Sequence, residues 1–574
     1  MLYLHTIRYL RPRQVFWRVW RKLPLFRTSD SGPAPARRQP HPPLAAFPRK
    51  RLSMVAADTF RFLNEEHRLA AAADWNNPQW EALWLYHLHY FDDLCATGAE
   101  ERADWHQALI ARWIAENPVG QGCGWDPYPT SLRIVNWIKW ALARGAVNPR
   151  PTVEGGLVGR GLTAPAIQSL AVQARYLAPR VEWHLLGNHV LANAKALVFA
   201  GCFFGGTEAE AWLNKGLAIL REQIDEQVLA DGGHFERSPM YHAIVMEDLL
   251  DLINLSRSYP GVIQENMLVM LREAAGRMLR WANVMLHPDG GIGFFNDAAF
   301  AIAVNVSDLS RYAQRLEIET PRGKRGRLTC LEQSGYIRLE RGPLTVLFDV
   351  GPLGPDYLPG HAHADTLSFE LSWGQQRVIC NSGTSRYGRG AIRHWERSTA
   401  AHNTVEIDGE NSSEVWDGFR VARRAYPVGL HCSEEAEALR VSCAHDGYAR
   451  LPGRPMHRRT VEVFDDAVRW IDEVQGAGEH RAVGRIPLHP DVTARRVGEA
   501  QWELDLPSGK GLVLAVATEG VVLDEEKGRF SPEFGLTIAR IVLVWSVSKK
   551  LPIAVALRLS DRPGATRHPL AGGE

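Results

Sequence analysis

The apolar residues of this chain change period near Leu328, and no single layer of secondary structure can satisfy both halves. From about Ala71 to Val304, segments such as SLRIVNWIKWALA, VLANAKALVFA and AWLNKGLAILREQIDEQVL place apolar side chains at i, i+3, i+4 and i+7, the spacing of a helix with one buried face. Beyond Leu328 the spacing is two. GYIRLERGPLTVLFDVG reads as a hairpin turning near Arg341 and Gly342, and TLSFELSWGQQRVICNSG as another turning at Gly374. Repeated helical hairpins, punctuated at Pro118, Pro127, Pro165 and Gly205–Gly206, fit an (α/α) toroid or a helical bundle. The later strands fit an antiparallel β-sandwich.

Length supports the division. A chain of 574 residues exceeds the ~250–300 at which single cores stop growing, so two large units are expected. The boundaries read from the sequence are a basic helical segment with a Pro-rich connector over 1–50, a helical domain over 51–325 and a sandwich over 326–574. The connector, residues 32–48, holds six prolines and cannot sustain a helix. Net charge is +1, which excludes a polycation built for nucleic acid, and no apolar run is long enough for a transmembrane helix. Charge is uneven, however: residues 1–60 carry twelve Lys and Arg against Asp30 and Asp58, either a solvated arm or an attraction to an acidic polymer or membrane surface.

Seven cysteines, odd in number and without a C-x-x-C pair, do not describe a disulfide framework or a zinc ribbon. Arg8, Arg11 and Arg13 interrupt the place where a secretory signal needs an apolar stretch, so a cytoplasmic location is expected. The sequence leaves the oligomeric state open, a homodimer included.

Three clusters carry the chemistry. GHAHADTLSFEL puts His361 and His363 one residue apart, on the same side of an extended backbone. GNHVLANAKAL places Asn188 and His189 at a helix N-terminus, where donors suit an anion. DGGHFERSPMYH places Tyr241 and His242 at the opening of another helix. WDPYPTSLRIVNW adds Trp125, Tyr128 and Arg133. The aromatics are either sugar-stacking faces or core, and Arg133 either holds a substrate carboxylate or is solvated or ion-paired elsewhere.

These motifs, with LRPRQVFWRVW, WLYHLHYFDDL and RSTAAHNTV, resemble the heparinase II/III-like polysaccharide lyases over most of the chain. The resemblance implies an incomplete (α/α) toroid followed by an antiparallel β-sandwich, and β-elimination at a uronic acid in an acidic polysaccharide, an exopolysaccharide or a glycosaminoglycan- or alginate-like chain. It implies Asn188 and His189 beside the substrate carboxylate and Tyr241 and His361 as catalytic groups; Trp125, Tyr128, Arg133 and His242 are candidates for substrate contact on the reading of the residues alone. No cofactor is required for that catalysis. His363 and His402 match residues that hold a structural zinc in some relatives, and related lyases are often periplasmic or secreted. Asn381 stands where many relatives have an aspartate, and a neutral amide is a poor zinc ligand; Cys380, Asp365 and Asp408 are possible substitutes.

The chemistry fits those residue types. A uronate C5 proton can be removed only if the charge developing on the carboxylate is neutralised, which Asn188 and His189 can do. Tyr241 then serves as acid and base for a syn elimination, or as acid with His361 as base for an anti one. Two other readings stand beside this one. A hydrolase would pair Glu236 with Asp231 or Asp297, and a non-catalytic protein of an exopolysaccharide or capsule assembly system would only bind the polymer.

Overall fold

The computed structural model describes residues 1–21, 32–144, 161–319 and 326–562, so the boundary set between 325 and 326 falls at the edge of the described chain. The helical half comprises Ala82–Tyr90, Ala103–Glu116, Pro127–Arg144, Ala164–Leu177, Gly187–Phe203, Thr207–Gln227, Pro239–Ser258, Glu265–Val284 and Val306–Arg315. It is the incomplete (α/α) toroid. The prolines punctuate it by starting helices: Pro127 opens one, and Pro165 sits in the first turn of another, whose N-cap Thr163 accepts from the Ala166 amide at 3.4 Å.

Gly187–Phe203 is the hub. Every residue in it except His189 is buried. A helix apolar on all sides belongs inside a core, and the one residue that escapes burial is the one the sequence marks for chemistry. Its neighbour Thr207–Gln227 approaches closely because a Cβ on Gly201 would lie 2.6 Å from the Leu213 Cβ, and one on Gly216 2.8 Å from the Ala194 carbonyl. The Pro-rich connector closes the far end. Arg38 donates to the carbonyls of Gly201 and Phe204, the orphan acceptors at the end of this helix.

A three-stranded antiparallel sheet, Met54–Ala56, Thr59–Phe62 and Glu65–Arg68, stands between connector and toroid. The sequence reading has no strands there, because runs of three and four residues are too short to show a period.

Beyond 326 every paired strand is antiparallel. A five-stranded sheet runs in chain order from Leu328–Leu331 to Gln376–Ile379, and Arg341 pairs Leu344 and Trp373 pairs Gln376 across the expected turns. Gly342 (φ +56°) and Gly374 (φ +58°) take the left-handed conformation those turns need. An eight-stranded sheet packs against it through one core shared by Ile337, Phe348, Val441, Trp470 and Leu557. Trp281, Val284, Met285, Phe295, Tyr336 and Leu347 form an apolar cluster that fastens the last long helix of the toroid to the first sheet. Among the described residues no helix is long and apolar enough to cross a membrane.

Candidate functional site at the meeting of toroid and sandwich

Asp297, in the irregular segment after the helix Glu265–Val284, organises the centre. Its carboxylate, fully buried, accepts from Arg393 (Nη2 at 2.7 Å, with Nη1 also in contact), His361 Nδ1 (2.9 Å) and His363 Nε2 (2.8 Å). Burial alone would raise its pKa; the Arg393 charge and the two imidazole hydrogen bonds outweigh that and hold it well below the usual carboxylate range. Segment 360–366 is a loop ahead of the strand Phe369–Trp373. The alternation of an extended strand does not apply in a loop, yet both histidines meet the same carboxylate.

That arrangement gives them different work. With Nδ1–H spent on Asp297, a tautomer assigned from the hydrogen-bond partners, His361 turns Nε2 outward, 3.8 Å from Glu236 Oε2, and its ring lies 4.0 Å from the Tyr241 ring. His363 is fully buried, and its Nδ1 meets His402 Nε2 at 3.2 Å.

Tyr241 is positioned by its helix start. Ser238 caps Pro239–Ser258, accepting from the Tyr241 amide at 3.2 Å and donating to the Asp297 carbonyl at 2.5 Å. The Tyr241 hydroxyl lies 2.8 Å from that of Tyr387. Burial, with Tyr387 and Asp297 nearby, pushes the Tyr241 phenol well above its ordinary pKa, so it rests protonated. Opposite, Asn188 and His189 open the hub helix. His189 Nδ1 is 3.2 Å from Glu182 Oε2; burial alone would depress the imidazole pKa, but Glu182 raises it above the ordinary value. Glu236 accepts from the Asn188 amide, is raised by burial, and leaves Oε1 without a partner among the described residues. Leu186 (φ 69°) and Gly187 (φ 59°) are both left-handed, and a Cβ on Gly187 would lie 2.8 Å from that oxygen. Glycine lets the carboxyl reach the helix end.

Asn188, His189, Glu236, Tyr241, His361, Tyr387 and Tyr128 line one cavity of about 710 Å³. That is within the ~300–1,000 Å³ of small-molecule sites. The inner end is walled by buried ion pairs, Lys139–Asp251 at 2.9 Å and Lys195 with Asp248 and Asp251 at 2.7 Å each.

Residues 163–317 match the heparinase II/III N-terminus, and residues 323–559 match the heparinase II/III-like C-terminal domain. The chain belongs to the heparinase II/III-like family. A heparin-sulfate lyase of Bacteroides stercoris is 25% identical over 393 residues, covering 64% of this chain and 56% of that protein. FtsZ-localized protein C of Caulobacter vibrioides is 28% identical over 352 residues, 58% of each. This chain therefore spans a little over half the length of those curated relatives. The crystal structure of heparinase III superposes with a TM-score of 0.65 at 19% identity, over 83% of this chain and 76% of that one, which establishes the shared toroid-and-sandwich fold.

Three expectations are corrected. Arg133 is fully buried, its Nε bonded to Gln173 (2.9 Å), its Nη1 to the Gly124 carbonyl (2.8 Å) and its guanidinium 3.8 Å over Trp113. On its helix Tyr128, Ser131, Val135 and Lys139 face the cavity, and Arg133 lies about 140° around from Tyr128. Trp125 is core, its indole donating to the Asn117 carbonyl. His242, one residue and so ~100° from Tyr241, bonds the Met278 carbonyl and stacks on Trp281 at 4.2 Å.

Of the residues matched to a structural zinc, His363 and His402 come together at 3.2 Å, while Asn381 is engaged elsewhere. The Asn381 amide bonds Ser368 (3.4 Å) and accepts from the Asn403 N–H (3.3 Å), and no three His, Cys, Asp or Glu side chains converge as ligands among the described residues. Tyr387 escaped the sequence reading. Its one signal is a tyrosine inside NSGTSRYGRG, a small-residue loop closing the H-x-H region.

Proposed function

We propose that this protein is a polysaccharide lyase that breaks a glycosidic bond beside a uronic acid by β-elimination. The observation that carries this is the orientation of His361: anchored on Asp297 through one nitrogen, it offers the other to the cavity that Tyr241, Asn188 and His189 share. In this reading Asn188 and a protonated His189 hold the substrate carboxylate and absorb the charge that grows there as C5 loses its proton. The proton passes to His361 Nε2, its electron pair forms the C4=C5 double bond, the C4–O bond breaks, and Tyr241 gives its proton to the departing oxygen. Tyr241 rests protonated, as the acid role requires, and His361 presents Nε2 as the base, the pairing of the anti route.

The hydrolase reading keeps Glu236 in the cavity but loses both candidate partner carboxylates. Asp297 is committed to Arg393 and two histidines, and Asp231 to Ser334 and the Gly233 amide. A binding role without turnover keeps the support of the relative from Caulobacter, whose name records a localisation and not a reaction.

Incubation with a panel of acidic polysaccharides, followed for the ultraviolet absorbance of an unsaturated uronate, tests the proposal. Absorbance that appears with wild type and disappears with Tyr241→Phe is expected. New reducing ends without absorbance, or binding without either, would overturn it.

A further inference from the structure

Of the first 21 residues only Trp17 packs against the toroid core, and none is a buried apolar member of either core. Leu2–Ile7 has no buried residue and Pro12–Trp20 buries only Gln14, yet Tyr3, Thr6, Ile7, Leu10, Gln14 and Arg18 all border the cavity that holds Tyr241 and His361. The pair is held at its two margins. On the sandwich side, Thr6 Oγ1 accepts from the Trp416 indole (3.1 Å) and lies 3.3 Å from the Val421 carbonyl, Tyr3 meets the Trp416 ring edge-on at 4.7 Å, and Arg424 lies 3.6 Å over Tyr9. On the toroid side, Arg11 pairs with Glu226 and Arg13 with Glu222, and the Arg13 guanidinium lies 3.5 Å over Trp183, while that of Arg11 lies 3.6 Å over Tyr357 from the sandwich half. The basic arm of the sequence is thus a span from one domain to the other across the cleft.

A cleft that cleaves a long polymer in mid-chain must let the chain enter and leave. Here the inner end is walled by the buried Lys139, Lys195, Asp248 and Asp251 ion pairs, and the outer side is crossed by the helix pair. We propose that this roof makes the site a dead end that accepts chain ends or short uronate-bearing oligosaccharides and refuses the middle of a polymer. Arg18 on the roof and Arg420 on the sandwich border the same space and suit a carboxylate on the incoming sugar. The inference takes its chemistry from the lyase reading, but the geometry that carries it is independent of which bond-breaking step follows.

On the toroid side the roof is fastened by two partly exposed ion pairs, each worth ~0–1 kcal/mol, so that margin can be loosened without unfolding either domain. The test compares wild type with the double variant Arg11→Glu, Arg13→Glu, neither residue lining the cavity, on long heparan sulfate and alginate chains and on tetrasaccharides cut from each. Viscosity is plotted against new chain ends, counted as reducing ends so that lyase and hydrolase are scored alike. Wild type should release short products from the first turnovers with little loss of viscosity per end. The double variant should lose viscosity several-fold faster per end, with tetrasaccharide turnover unchanged. Trp416→Ala, which frees the other margin, should change the mode in the same direction if the charge reversals disturb the fold. If no chain is cut, the lyase reading fails separately, and binding decides: one wild-type molecule per polymer chain against several for the variant supports the roof. Mid-chain cleavage by wild type, or equal occupancy along the polymer by both proteins, overturns it.

Discussion

The phenolic oxygens of Tyr241 and Tyr387 lie 2.8 Å apart although 146 residues separate them in the chain. One comes from a helix start in the toroid and the other from a loop of the sandwich, so the pair exists only when the two domains are docked. Tyr241→Phe keeps the ring against His361 and removes the proton, and turnover should fall ~10²–10⁴-fold with an unchanged melting temperature. Tyr387→Phe should cost less, because Tyr241 keeps its own proton. Steady-state kinetics of the two variants on one substrate check the order; a larger loss for Tyr387→Phe would reverse the assignment.

His189 must carry its proton to hold a carboxylate, and Glu182 raises the pH up to which it does so. Activity should therefore decline as pH rises through the His189 pKa. Glu182→Gln removes the charge that raises it, so the decline should move to lower pH. A pH profile of kcat/KM for both proteins measures this; an alkaline limb that stays in place removes His189 from the carboxylate contact. His189→Ala should lower kcat more than it raises KM.

Arg133 separates structure from recognition. Arg133→Ala strands Gln173 and the Gly124 carbonyl and leaves a void against Trp113, a destabilisation of roughly 2–4 kcal/mol. Thermal melts should show it, while KM of the folded fraction stays at the wild-type value. A raised KM with a normal melt would return Arg133 to the substrate.

Asp297→Asn leaves the buried Arg393 without its counter-charge, a loss of about 3–5 kcal/mol, and frees His361 to take the wrong tautomer, so stability and kcat should fall together. His363→Ala should lower the melting temperature by breaking the contact with His402, and a chelator should leave the wild-type melt unmoved. A chelator-sensitive wild-type melt that disappears in His363→Ala would instead restore a shared metal.

Much of the site was legible because its signals are local. The Asn188–His189 pair sits at a helix start whose flanking Gly187 and following apolar run can be read directly, and Tyr241 follows the Ser238–Pro239 cap by two residues. The H-x-H segment marked His361 and His363 as a pair, and one carboxylate receives both, although the segment is a loop and not the extended strand that the spacing suggested. The residues misplaced, Arg133, Trp125 and His242, are polar or aromatic groups whose neighbours in the chain face the cavity. Arg133 and His242 lie on helix faces rotated away from it, and which rotation meets the cleft is set by packing.

The sequence by itself determined that a helical half precedes an antiparallel β half, since the 3.6 and 2.0 periods follow from backbone geometry that each segment carries alone. It also determined which residues could do acid–base and anion chemistry. Only the tertiary structure decided that Asp297 orients both histidines, that Tyr387 reaches Tyr241, and that the basic N-terminal helices lie across the cleft. Those are contacts between residues distant in the chain, set when the two cores dock and bury Trp281, Tyr336 and their neighbours between them, and no local period encodes which surfaces will meet.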